Sequence, residues 1–449
     1  MNTAVHLRLP LIAALTCAVA CKDSIGPATQ QLSVHNALLE NTVVVGTTDE
    51  LISALSSANA GERILLRAGT YDIDHPLTVP DSITLEGESS MLSDASGLPA
   101  GFGSNAHAAL RMTANVPGDV LTLGNGVTLR RLEIIDRVGR SGNVVAVYSR
   151  NAGDQVAASV LQSEIVNANS GFYGLYVQTR NLNLGSDPAP HEGAAIDVRL
   201  TGSIIRSSVG GRGLFAFNFA PLAKVAVTLS GNVLGGVTAN GGVSLPDAVH
   251  DSEVRIVSHG NVYRNEASDP CAAPVIGWNL TGGSGAPAPI AVAETSRNTL
   301  YMQSVGDRIE QFTTAVLGGG GRRYFAAPLA GATTDNTLEL ELINATLSTP
   351  SCGGAQFARD FDLKGAYANS STLDPGNGNT LHAVIRGVTG SGQRFNMYAD
   401  VGGPAGPLSP DVLSSGNRLE IAGSPQAFAR TNRQIEPGPG TEFFSSSSH

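Results

Sequence analysis

Arg206, Arg264, Tyr301, Glu339, His382 and Glu420 recur at one place in a repeating pattern, and together they hold the functional groups of a glycan-binding surface. A phenol ring stacks on flat ligands, guanidinium forks grip carboxylates or hydroxyls, and a histidine between two carboxylates can move protons. Arg206, Arg264, Tyr301, Glu339 and His382 are therefore the candidate ligand-binding residues, and Glu339, His382 and Glu420 the candidate catalytic ones. Glu339 and Glu420 fall two repeats apart, about 9.6 Å if each repeat adds one strand, which is the upper limit for an inverting carboxylate pair. A solvated sheet face must also carry polar residues, and it meets the same pattern.

What would place these side chains is a signature of asparagine, one variable residue and a large apolar one. It reads Asn232-Val233-Leu234, Asn261-Val262-Tyr263, Asn298-Thr299-Leu300, Asn336-Thr337-Leu338, Asn379-Thr380-Leu381 and Asn417-Arg418-Leu419, at intervals of 29, 37, 38, 43 and 38 residues. A period in this range belongs to stacked solenoids. The alternation in Leu338-Glu339-Leu340-Glu341-Leu342 is that of a half-buried strand. If every asparagine starts an equivalent strand, the residue three positions later points outward in each coil, giving the row Gly235, Arg264, Tyr301, Glu339, His382 and Glu420, with Arg206 extending it. The asparagines themselves are expected at the entrance to each strand, in left-handed backbone, and to stack into an amide ladder.

Composition fits an all-β solenoid: 53 glycines, 5% aromatic and 15% charged residues in 449. A helical solenoid would be richer in Leu, Glu and Lys. The net charge of −10 argues against nucleic acid as a partner, because phosphate neutralisation needs basic clusters. No calcium-loop spacing is visible, and neither a metal nor a cofactor is expected.

The N-terminus reads as an address. Arg8 precedes an apolar stretch, Leu9 to Ala20, of signal-peptide length, followed by Cys21. Ala18-Val19-Ala20-Cys21 resembles the bacterial lipobox, which implies a lipid on Cys21, an outer-membrane or cell-surface location and a bilayer contact through that anchor. The alternative is an ordinary secretory signal and a periplasmic or secreted protein. Residues 1–20 are then the signal, 21–46 the lipidated end and tether, 47–430 the solenoid and 431–449 a disordered Ser-rich tail. Cys271 and Cys352 are the remaining pair; export permits a disulfide, provided both lie on excursions from the coil, and two free buried thiols are the alternative.

The folded body opens with a capping box, Thr47 to Glu50, and an apolar helical face of Leu51, Ala54, Leu55 and Ala58 ending near Gly61. Ile64, Leu66, Gly69 and Tyr71 then match I-x-L-x-x-G-x-Y, and Val127-Thr128-Leu129-Arg130-Arg131-Leu132-Glu133-Ile134 repeats a strand pair. Residues 48–87 thereby resemble the opening of the pectin-lyase-like superfamily. The resemblance implies a right-handed parallel β-helix with a short N-terminal capping helix; it implies no activity, since that fold hosts lyases, hydrolases, epimerases, adhesins and scaffolds. Tyr71-Asp72-Ile73-Asp74-His75 reads as a surface turn. His250-Asp251-Ser252-Glu253-Val254-Arg255, the arginines Arg199, Arg206 and Arg212, and the single Trp278 are further candidates for binding a uronate or a sugar. The expected function is binding of an extended polymer, polysaccharide above all, or a surface scaffold; the alternative is an enzyme, lyase or hydrolase, on acidic glycans.

Overall fold

A computed structural model describes residues 41–449 except 139–141, 169–171, 180–190, 208–212, 242–248, 265–275, 280–294, 310–315, 318–332, 348–360, 365–375, 379, 391–394, 399–415, 417, 424–441 and 447–449. Cys21, Arg212, Cys271 and Cys352 lie outside the described residues.

The body from Thr42 onward is a parallel β-helix. Among the described residues successive coils build sheet 1 of thirteen strands, sheet 2 of ten and, as far as Ile276–Asn279, sheet 3 of seven. The main strands of sheet 1 include Gln155–Leu161, Ala195–Thr201, Lys224–Ser230, Glu253–His259, Thr299–Val305 and Thr337–Ile343. Two three-stranded sheets accompany the later coils, and among the described residues the one antiparallel pair is Leu92–Ser93 with Pro99–Gly101. Alternation sets what faces inward. Val127, Ala158, Val198, Val227, Ile256, Met302 and Leu340 are successive register partners, all at 3% exposure or less. Each such side chain larger than alanine stabilises the coil by about 1.5–3 kcal/mol before entropy is subtracted.

Helix α1, Thr48–Ser57, covers the open end of the first coil with Leu51, Ala54 and Leu55. Thr47 caps it by accepting from the Glu50 amide, and the Glu50 carboxylate accepts from the Gly46 amide at 2.7 Å, one residue earlier than a capping box usually reaches. The body begins and ends beyond the expected limits. Thr42–Val45, assigned above to a tether, is the first strand of sheet 1, and Glu442–Ser446, assigned to a disordered tail, is its last.

The asparagines mark two corners, not one. Asn232 and Asn261 stand between sheet 1 and sheet 2, whereas Asn298 and Asn336 stand at the entrance to sheet 1. Coil partners make this plain: Asn261 stacks on Asp307, 46 residues on, and Ser252 stacks on Asn298 across the same interval. At the first corner the Asn232 amide and Nδ2 both donate to Asn261 Oδ1 at 2.8 Å, and Ser203 N donates to Asn232 Oδ1 at 2.9 Å. At the second, Asn298 N and Nδ2 donate to Asn336 Oδ1 at 2.9 and 3.1 Å. The left-handed residue is the one before each ladder position: Gly231, Gly260 and Gly306 at one corner, Asp251, Arg297 and Asp335 at the other. Both corners need the same thing, a positive-φ residue followed by a short buried side chain that accepts from the neighbouring coil. That shared need gives them one sequence signature.

Asp307 ends the described part of the first ladder, accepting from Asn261 N, Ser258 Oγ and Ser304 Oγ at 2.7, 2.5 and 2.6 Å. Burial pushes its carboxyl above the usual range, against the lowering effect of these donors. A raised folded pKa makes the charge cost stability as pH rises from the unfolded value through the folded one. Asp307→Asn is therefore expected to stabilise at pH 7, with a smaller gain at pH 4. Paired denaturant titrations of the two proteins at both pH values measure this.

Candidate functional site on the third sheet

The expected row of chemical residues divides between two sheets. Tyr301, Glu339, His382 and Glu420 are register partners on sheet 1, and Arg255 precedes them in the same column. Arg206 and Arg264 belong to sheet 2, with Gly235 between them: Gly235 N donates to Ile205 O and Arg264 N to Leu234 O, both at 2.8 Å. This corrects the single row, and its cause is the signature's use at two corners.

On both sheets several charged groups are matched to each other. The Arg255 guanidinium lies 4.3 Å from the centre of the Tyr301 ring. Burial, then the Glu341 carboxylate, raises the Tyr301 phenol pKa. Arg418 pairs with Glu420 at 3.2 Å, and Arg206 Nε donates to the Glu164 carboxylate at 2.6 Å. The His250–Arg255 candidate resolves into an ion-paired turn. Asp251 accepts from Arg297 Nε and Nη2 at 2.8 and 2.7 Å and pairs with His250 at 2.8 Å, and Arg297 foremost holds its pKa at about 2. Arg199 pairs with Asp197 at 3.7 Å, and Asp74 with His75 at an exposed turn. Trp278 lies in the sheet 3 strand Ile276–Asn279.

Sheet 3 differs in kind. Its strands Val145–Tyr148, Leu175–Gln178 and Leu214–Asn218 send Val145, Val147, Leu175, Val177, Leu214 and Ala216 into the coil core. The alternate positions form two outward columns. One is Ala146, Tyr176 and Phe215; the other is Tyr148, Gln178 and Phe217, whose register continues through Asn240 and Asn279. The rings form a continuous cluster. Phe215 stacks on Tyr173 at 4.5 Å and on Phe217 at 5.0 Å, and Phe217 meets Phe219 edge-on at 3.8 Å. Tyr173, Tyr176 and Phe219 are partly exposed and make the rim, while Tyr148, Gln178, Phe215 and Phe217 are buried and make the floor.

Polar groups on this floor are few and fixed. Tyr148 donates to Asp119 Oδ2 at 2.7 Å, and Asn143 N and Nδ2 donate to Asp119 Oδ1 at 2.8 and 2.9 Å. Burial first, then the Asp119 charge, pushes the Tyr148 pKa far up, and burial does the same for Tyr176, so both phenols stay neutral. Beside them Ser149 Oγ bonds the Thr179 carbonyl and His191 Nδ1, the latter at 2.7 Å, in a buried knot. Gln178 is the exception. It is 1% exposed, and neither its Nε2 nor its Oε1 has a hydrogen-bond partner. A carboxamide can make four such bonds, so this one remains available at the centre of an aromatic face.

No protein-family profile and no curated protein matches this chain. Among solved structures it is similar to the A-module of the mannuronan C-5 epimerase AlgE4 from Azotobacter vinelandii, at 9% identity and a TM-score of 0.40, covering 90% of this chain and 100% of that one. It is also similar to an alginate lyase from Paenibacillus sp. str. FPU-7 (13% identity, TM-score 0.28, 90% and 98% covered) and to the surface protein and adhesin PfbA of Streptococcus pneumoniae (10%, 0.33, 89% and 95%). These likenesses concern fold alone. The strand register establishes the parallel β-helix independently.

The third-sheet site escapes sequence inspection because its strands lack alternation. Val-Ala-Val-Tyr and Leu-Phe-Ala-Phe read as runs buried on both faces. The available signal is the recurrence of Tyr176, Phe215 and Phe217 in strands one coil apart. Among the described residues no cluster of metal-ligating side chains converges. If Gln178 is held for a ligand and not for the fold, Gln178→Met should raise stability by about 1–2 kcal/mol, because it removes an unpaired buried amide at nearly constant shape. A structural carboxamide would give the opposite sign in chemical denaturation.

Proposed function

We propose that this chain is an exported β-helix protein that binds an extended polysaccharide along the outward face of sheet 3. The observation that carries this is Gln178, buried and unpartnered between Tyr148 and Phe217 in register. Ligand sites are mostly apolar surfaces with a few converging polar groups, and this face has that composition. The columns run from strand to strand at about 4.8 Å, so a chain of sugars laid along the coil axis would meet the same two surfaces repeatedly. Isothermal titration against a panel of soluble hexasaccharides tests the proposal: binding should fall at least tenfold in both Gln178→Met and Phe215→Ala. Binding that survives both variants would place the ligand elsewhere.

A catalytic reading rests on His382, which stands in register between Glu339 and Glu420. It requires measurable turnover of a glycan, lost in Glu339→Gln and Glu420→Gln; the absence of product from every glycan bound would remove it. The lipid anchor is a separate proposal, supported by Ala18-Val19-Ala20-Cys21. No helix among the described residues is long and apolar enough to cross a membrane. In a bacterial host, the mature N-terminal peptide should carry acyl chains by mass spectrometry, and Cys21→Ser should move the protein from the membrane to the soluble fraction.

A further inference from the structure

Resting on the third-sheet site just proposed, we infer that its ligand is an uncharged glycan and not a uronate polymer. Binding a carboxylated sugar away from water is most favoured where a cation, or several N–H and O–H donors, receives each carboxylate. Among the described residues the outward positions of the sheet 3 strands supply no cation: Thr78, Thr122, Ala146, Tyr148, Tyr176, Gln178, Phe215 and Phe217 include no lysine or arginine. The charge that touches this floor is negative. Asp119 accepts from Tyr148 at 2.7 Å, and its own two oxygens are occupied by Tyr148 and Asn143. A second carboxylate entering the same low-dielectric surface would be repelled by it.

The arginines that would suit a uronate are engaged elsewhere. Arg111 forks onto Asp72 on sheet 2, Arg206 pairs with Glu164 on the same sheet, and Arg297 forks onto Asp251 at a corner. None is on sheet 3. What that face offers is complementary to a neutral pyranose. The partly exposed rings at the rim, Tyr173, Tyr176 and Phe219, can lie against the C–H face of a sugar, and the Gln178 amide can both donate to and accept from hydroxyl groups. A carboxamide cannot neutralise a carboxylate, but it matches a hydroxyl in either direction.

The test compares one backbone with and without its charge. The full chain is titrated calorimetrically, in low salt, with an α-1,4-galacturonate hexasaccharide and with its carboxyl-reduced counterpart. Hexasaccharides of β-1,4-glucan and β-1,4-mannan extend the neutral series, and Gln178→Met and Phe215→Ala are titrated in parallel. Tighter binding of at least one neutral chain than of the galacturonate, by tenfold or more and lost in both variants, is the expected result. Galacturonate binding that equals or exceeds the neutral series and is lost in the variants would overturn the uncharged class while leaving the third-sheet site in place. Binding of any of these chains that both variants retain, or binding of none, would overturn the site itself.

Discussion

A coil of stacked parallel strands leaves backbone amides at its corners without strand partners, and everything else in this molecule depends on how they are satisfied. Here the solution is a buried side chain that accepts from the previous coil and donates to a carbonyl. Asn232 takes the Ser203 amide on its Oδ1 and gives Nδ2 to Leu200 O; Asn298 takes Ser252 N and gives Nδ2 to Val249 O. An unpaired amide at such a place costs about 1–3 kcal/mol. The residue before each ladder position is left-handed, so the chain turns sharply enough for the following strand to begin in register. Ladder and register are thus one constraint: the side chains stack only if the strands do.

Once strands stack in register, each outward face becomes a set of columns, and the three faces of this coil diverge in character. Sheet 1 carries Arg255, Tyr301, Glu339, His382 and Glu420 in one column, with Arg255 over the Tyr301 ring and Arg418 paired to Glu420. Sheet 2 carries the ion pairs of Arg111 with Asp72, His107 with Glu133 and Arg206 with Glu164. The ring nitrogens of His107 lie 2.7 Å from Asn105 O and 2.8 Å from the Glu133 carboxylate, and although burial opposes it, these acceptors raise its pKa. Sheet 3 carries rings and carboxamides. Opposite charges in contact satisfy one another and leave little for a ligand, whereas an aromatic face with one unsatisfied amide leaves both stacking surface and hydrogen bonds to offer.

The two ends of the body show how the same physics closes a solenoid. At the N-terminal end helix α1 lays Leu51, Ala54 and Leu55 over the first coil, while Thr42–Val45 adds a strand outside the one that begins the recognisable pattern. At the other end Glu442–Ser446 pairs with Arg418–Gly423. Neither terminal strand has a signature, because an edge strand needs only backbone groups to pair and places little demand on side-chain type.

The sequence by itself determined the class of fold. The Asn-x-apolar spacing, the alternation of Leu338 to Leu342 and the capping motif from Thr47 all report local demands, namely corner amides, a half-buried strand and a helix start, and local demands are written in adjacent residues. It also placed Tyr301, Glu339, His382 and Glu420 in one column, since those four follow the same corner. The tertiary structure decided which corner each asparagine occupies, and so moved Arg206 and Arg264 to another sheet. It alone assembled Asp119, Tyr148, Gln178, Phe215 and Phe217, residues from successive coils whose proximity is set by coil lengths. Those lengths vary from 21 residues, Thr42 to Arg63, to 46, Arg255 to Tyr301, with the excursions inserted. A column that crosses coils is a property of register, and register across such insertions is fixed only when the strands and their buried ladders are stacked together.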